Sequence, residues 1–169
     1  MRRLILLLAA FLLAAPLEAA TAPRLSIASF DQLPKPLPLP YDEQADATAA
    51  VAAARARAKA HHKLLLIDLG GNWCLDCRLL AGVIELPQLH GFLFSKYEIV
   101  TVDIGRFNKN LAIPGHYGLD GNFGGGVPNL LVVDPRTDKL LNAGHTAALE
   151  DARSMSPQAL ADWLGSWTK

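Results

Sequence analysis

Cysteine is scarce in this chain: there are two among 169 residues, Cys74 and Cys77. No second pair is present to complete a thiolate zinc set, and the histidines are scattered or adjacent, so no metal site is expected. A scaffold of several disulfides is excluded as well. Excess charge of one sign is also lacking, since Lys plus Arg and Asp plus Glu both number 16. That balance gives no electrostatic reason to bind nucleic acid. Long apolar runs are absent too, with one partial exception at the N-terminus. Leu4 to Ala15 carries no polar residue, follows Arg2-Arg3, and ends at Pro16 before the small residues Ala19 to Ala22. The run is short of the ~20 residues that cross a bilayer. Its basic, apolar and small regions follow the order of a secretory leader.

The expected organisation is therefore a leader over 1–22, a Pro-rich lead-in over 23–41 and one domain over 42–169. Without the leader, 14 basic and 15 acidic residues remain. In the lead-in, Pro34, Pro36, Pro38 and Pro40 alternate with other residues and favour extended polyproline geometry. A short edge strand is expected over Leu25 to Phe30. The alanine-rich stretch from Asp42 to Ala60 predicts a helix. Leu64 to Leu69 is an apolar run, interrupted by Asp68, that reads as a strand buried on both faces. A helix is expected from Leu75 to Ile84 or Glu85, then a further turn or two over Gln88 to Lys96. Tyr97 to Ile104 reads as a second strand, and Phe107 to Tyr117 as helical until Pro114-Gly115. Five glycines between Gly118 and Gly126 mark a loop, without the Lys-Ser/Thr ending of a phosphate loop. Asn129 to Val133 and Lys139 to Ala143 read as a hairpin, and Ser156-Pro157 opens a last helix. This order predicts an α/β fold, a central mixed sheet flanked by helices.

A bond between Cys74 and Cys77 closes too small a loop to remove much unfolded-chain entropy. The pair is better explained by chemistry than by stability. It follows a buried strand and opens a helix, which is the arrangement of a redox Cys-x-x-Cys. At a helix N-terminus, unpaired amides and the dipole stabilise a thiolate, so Cys74 is the expected nucleophile. Cys77, one turn further in, would resolve the mixed disulfide.

Together, Lys63 to Asp68, Asn72-Trp73-Cys74-Leu75-Asp76-Cys77-Arg78, Val127-Pro128-Asn129 and Gly144 resemble the thioredoxin family. The resemblance covers roughly Asp42 to the C-terminus. More narrowly, the chain resembles exported bacterial thioredoxin-like proteins with a Trp-Cys-x-Asp-Cys centre. It implies a thioredoxin-like fold and thiol–disulfide oxidoreductase activity, in the reducing direction, on disulfides of extracytoplasmic proteins. No cofactor is implied. The implied location is periplasmic or secreted, and the implied state a monomer. An upstream thiol protein would regenerate the dithiol, a membrane electron carrier being one candidate. The resemblance also assigns roles. Asp68 matches the buried acid that takes the proton of Cys77. Pro128 matches a cis-proline beside the cysteines, Val127 offers its backbone to substrate, and Trp73 flanks the thiols. Leu75 and Asp76 replace the usual Gly-Pro and are expected to tune the redox pair. A carboxylate at Asp76 either opposes the Cys74 thiolate or faces solvent. The family's lysine near the buried acid is missing, and Thr101 or a neighbour takes its place. Phe123, in the glycine loop, is a candidate for substrate selection. Two other readings use the same residues: a redox-inactive peptide-binding adaptor, and a Cu(I)-handling protein.

Overall fold

A computed structural model describes residues 21–119 and 125–168. The expected leader up to residue 20, and Phe123, lie outside the described residues. Helix α1 spans Ala47–Ala60 and starts where Asp46 caps the Ala49 amide at 3.0 Å. Its apolar face of Val51, Ala54 and Ala58 packs on the sheet. Strand β1 spans Leu64–Gly70, α2 Leu75–Ile84, α3 Pro87–Lys96 and β2 Tyr97–Asp103. After α4 (Ala112–His116) come β3 (Asn129–Asp134), β4 (Lys139–Leu140) and α5 (Pro157–Ser166).

The sheet order is β2-β1-β3-β4. Strands β1 and β2 run parallel, and the other two pairings are antiparallel. The fold is thus thioredoxin-like, a mixed four-stranded sheet with helices on both faces. Strand β1 is central, which explains its continuous apolar run. Leu66 faces a core built by α2, α3 and α5, with Leu80, Leu89 and Leu160. Leu65, Ile67 and Leu69 face α1 on the other side. On α5, Ser156 caps the Ala159 amide, Leu160 and Leu164 are buried, and Trp163 and Trp167 pack beside them.

Several boundaries differ from the sequence expectation, each for a physical reason. Residues 25–30 form no strand; a single 3-10 turn runs Phe30–Gln32. The helix expected early in Phe107–Tyr117 forms only over Ala112–His116, across Pro114, because Phe107 and Asn110 take positive φ. The last strand is two residues long rather than five. Its ladder is continued by a side chain: Asn142 accepts from the Val132 amide at 2.9 Å and donates to the Leu130 carbonyl at 2.7 Å. The lead-in is no loose linker either. Leu33, Leu37 and Tyr41 are buried in the two cores, and Ala22 packs into one of them.

Candidate active site

Strand β1 ends at Gly70, and the turn through Gly71-Asn72-Trp73 delivers Cys74 to the N-cap of α2. Cys74 and Cys77 are paired as a disulfide, with Cα atoms 5.3 Å apart. The Cys77 amide donates to the Cys74 sulfur at 3.1 Å. That bond, with the helix dipole, favours negative charge on Cys74 once the disulfide is open. Cys77 is fully buried, as its expected resolving position requires. The Val127 carbonyl lies 3.4 Å from the Cys74 sulfur, and the Val127–Pro128 peptide is cis. Val127 and Pro128 therefore reach the cysteines from the start of β3, although Val127 stands 53 positions after Cys74.

A groove of about 480 Å³ opens over Cys74, with Trp73, Leu75, Phe107, Val127 and Arg153 in its walls. Trp73 is 42 % exposed but fixed in place. Its indole N–H donates to the Gly105 carbonyl at 2.7 Å, and the Arg106 guanidinium sits 4.4 Å from its ring centre. Leu75 points outward, 44 % exposed. The pair forms an apolar lip beside the reactive sulfur.

Asp76 meets neither expectation. It is buried, 5 % exposed, and gripped by Arg153 from the 3-10 turn Ala152–Ser154. The Arg153 Nε donates to Oδ1 at 3.0 Å, Nη2 donates to Oδ2, and the Arg153 amide adds a bond at 2.9 Å. Burial alone would raise the carboxyl pKa, but the Arg153 bonds outweigh it and hold the group below its ordinary value. The negative charge expected beside Cys74 is thus compensated. A carboxyl with a lowered folded pKa contributes stability above its unfolded pKa, and that contribution is lost as pH falls through the folded value. Arg153→Ala is therefore expected to lower Tm by several degrees at pH 7, with the gap to wild type closing toward pH 3. A pH series of thermal melts checks this; a gap that stays constant would rule the account out.

Asp68 is buried in the middle of β1, opposite Thr101 on β2 and Leu130 on β3. Desolvation raises its pKa to about 7, against the hydrogen bond from Tyr41, which lowers it. Thr101 does not take the place of a partner to the acid. Its hydroxyl donates to the Pro40 carbonyl at 2.8 Å. The group bonded to Asp68 is Tyr41, whose hydroxyl donates to Oδ1 at 2.9 Å. Sequence reasoning missed both Tyr41 and Arg153. Each lies far along the chain from its acid, in a segment with no periodicity to signal it.

The family model described as thioredoxin-like matches residues 46–135. The chain belongs to the thioredoxin-like family. Among solved structures, this thioredoxin-like protein is similar to a disulphide isomerase from Xylella fastidiosa Temecula1. Identity is 35 % and the TM-score 0.69, over 76 % of this chain and 95 % of that one. No functionally curated protein matches the sequence.

Proposed function

We propose that this thioredoxin-like protein is an exported thiol–disulfide oxidoreductase that reduces disulfides of extracytoplasmic proteins. The observation that carries the reading is the Cys74–Cys77 pair, with Cys74 at the N-cap of α2 and facing an open groove. In the reduced protein, the Cys74 thiolate attacks a substrate disulfide, and one substrate sulfur leaves as a thiol. Cys77 then gives up its proton to Asp68 and attacks Cys74, releasing the second substrate thiol. Asp68 supplies the base for Cys77 in the step that frees reduced substrate. Trp73 and Leu75 form the lip against which a polypeptide lies. The backbone of Val127, beside Pro128, offers it strand-like hydrogen bonds. The disulphide isomerase neighbour supports protein disulfides as the substrate class. The leader-like N-terminus supports export.

An insulin-reduction assay tests the reading. Wild type should show thiol-dependent turnover, and Cys74→Ser should fall to the uncatalysed background. Absence of turnover in the wild type would favour a redox-inactive adaptor, and stoichiometric Cu(I) binding without exchange a copper carrier. A Cys74/Cys77 potential near thioredoxin's ~−270 mV fits reduction, whereas one near DsbA's ~−120 mV would reverse the direction.

A further inference from the structure

We propose that Tyr41 is a positioning residue of this exchange reaction: carried by the lead-in, its hydroxyl holds Asp68 ready to take the proton of Cys77. The inference rests on the exchange reading above and gives the buried acid a partner from outside the sheet and the cysteine helix.

Residues 37–41 form a strap across the end of the sheet. Arg78, on α2, donates to the Leu37 and Pro38 carbonyls at 3.0 and 3.1 Å. Thr101, on β2, donates to the Pro40 carbonyl. Asn72, in the cysteine turn, accepts from the Tyr41 amide at 3.1 Å and donates to the Tyr41 carbonyl at 2.8 Å. The strap is thus anchored to the three elements that surround Asp68 and Cys77. Anchoring leaves Tyr41 with one orientation, its ring buried and its hydroxyl on the Asp68 carboxyl.

Gly70 brings the sulfur into the same compartment. A Cβ at Gly70 would stand 2.9 Å from the Cys77 sulfur and would overlap the Tyr41 hydroxyl. Acid, hydroxyl and resolving sulfur therefore converge on one buried face of β1. In the mixed disulfide, the Cys77 S–H proton passes to ionised Asp68. The Cys77 electron pair forms the bond to Cys74, the Cys74–substrate bond breaks, and the substrate sulfur leaves and takes a proton from water. Two electrons move from the enzyme dithiol to the substrate disulfide.

The hydrogen bond from Tyr41 stabilises the ionised carboxyl against burial, so it lowers the pH at which Asp68 can accept a proton. Other titratable groups facing the pair are Cys77 on α2 and Asp103 at the end of β2, which is bonded to Lys109 at 2.7 Å. Neighbouring β3 presents the uncharged Leu130 opposite Asp68.

Tyr41→Phe keeps the ring and removes the hydroxyl. The test follows the Asp68 carboxyl carbon by NMR against pH in both proteins. The midpoint is expected to rise by about one pH unit in the variant. The second readout is the pH profile with which Cys77 displaces 5-thio-2-nitrobenzoate from Cys74. Its inflection should rise with the Asp68 midpoint, slowing release about fivefold at pH 7, as expected for a base whose midpoint moves from about 7 to about 8. An unchanged midpoint overturns the proposal, and so does a shifted midpoint with an unshifted release profile. If Tyr41→Phe fails to fold, Asn72→Ala frees the strap with the hydroxyl intact and is read by the same two criteria. Wild type that exchanges no disulfide at all would sink the exchange reading separately, while the titration still decides whether Tyr41 governs Asp68.

Discussion

Asp68→Asn is expected to make the protein more stable than wild type above pH 7 and to slow disulfide exchange. The folded carboxyl holds its proton up to about pH 7, whereas the unfolded one releases it near the ordinary value of 3.8. A raised folded pKa means that folding takes up a proton between those limits. Stability therefore falls as pH climbs from about 4 to about 7, and above that range the folded state carries a buried charge. Three pH units of displacement correspond to roughly 4 kcal/mol. Burying the new amide N–H₂ costs back about 1–3 kcal/mol. The net expected gain at pH 8 is about 2 kcal/mol, and below pH 4, where both side chains are neutral, only the amide cost of about 1–3 kcal/mol remains and the variant is the less stable. The Asn oxygen still accepts from Tyr41, so the strap stays in place. What is lost is the proton acceptor for Cys77, and with it the release of reduced substrate. Denaturant melts at pH 4 and pH 8 test the claim. A variant less stable than wild type at both would show that Asp68 is an ordinary structural carboxylate.

That trade of stability for a poised acid was partly legible in the residues. An acid interrupting the run Leu64–Leu69 stands out, because a strand of that composition is buried on both faces. The cysteine helix was equally legible, since Cys74 must open it for the chemistry to work. The groups that set the electrostatics were not. Arg153 reaches Asp76 across 77 positions, and Tyr41 reaches Asp68 across 27, out of a Pro-rich stretch that reads as a linker. Neither segment has a periodicity that aims its side chain; tertiary anchoring does. Asn142 illustrates the same limit in the fold. The residues after β4 read as strand, yet beyond the Leu141 amide's bond to the Val132 carbonyl the ladder is completed by the Asn142 side-chain amide. Local pattern predicts elements that stabilise themselves, and it is silent where a distant partner decides.

Gly70→Ala should combine the local and the distant in one substitution. On its own terms the change is mild, because alanine suits a strand better than glycine. Here the added methyl would meet the Tyr41 ring and stand 2.9 Å from the Cys77 sulfur. Neither neighbour can retreat cheaply. Tyr41 is clamped through its backbone by Asn72, and Cys77 is fixed in the first turn of α2. Overpacking of this kind costs about 1–3 kcal/mol. Displacing the Tyr41 hydroxyl from Asp68 adds the loss of a hydrogen bond to a buried carboxyl, about 1.5–3 kcal/mol more. The expected total is about 4 kcal/mol, together with a fall in exchange rate. Because the clash involves the Tyr41 hydroxyl, Gly70→Ala and Tyr41→Phe should not be additive. The double variant should be more stable than the sum of the single losses implies, since one methyl then occupies the space of one oxygen. Additive losses, or a Gly70→Ala protein with wild-type melting and exchange, would mean that the strap, the acid and the sulfur do not share this compartment.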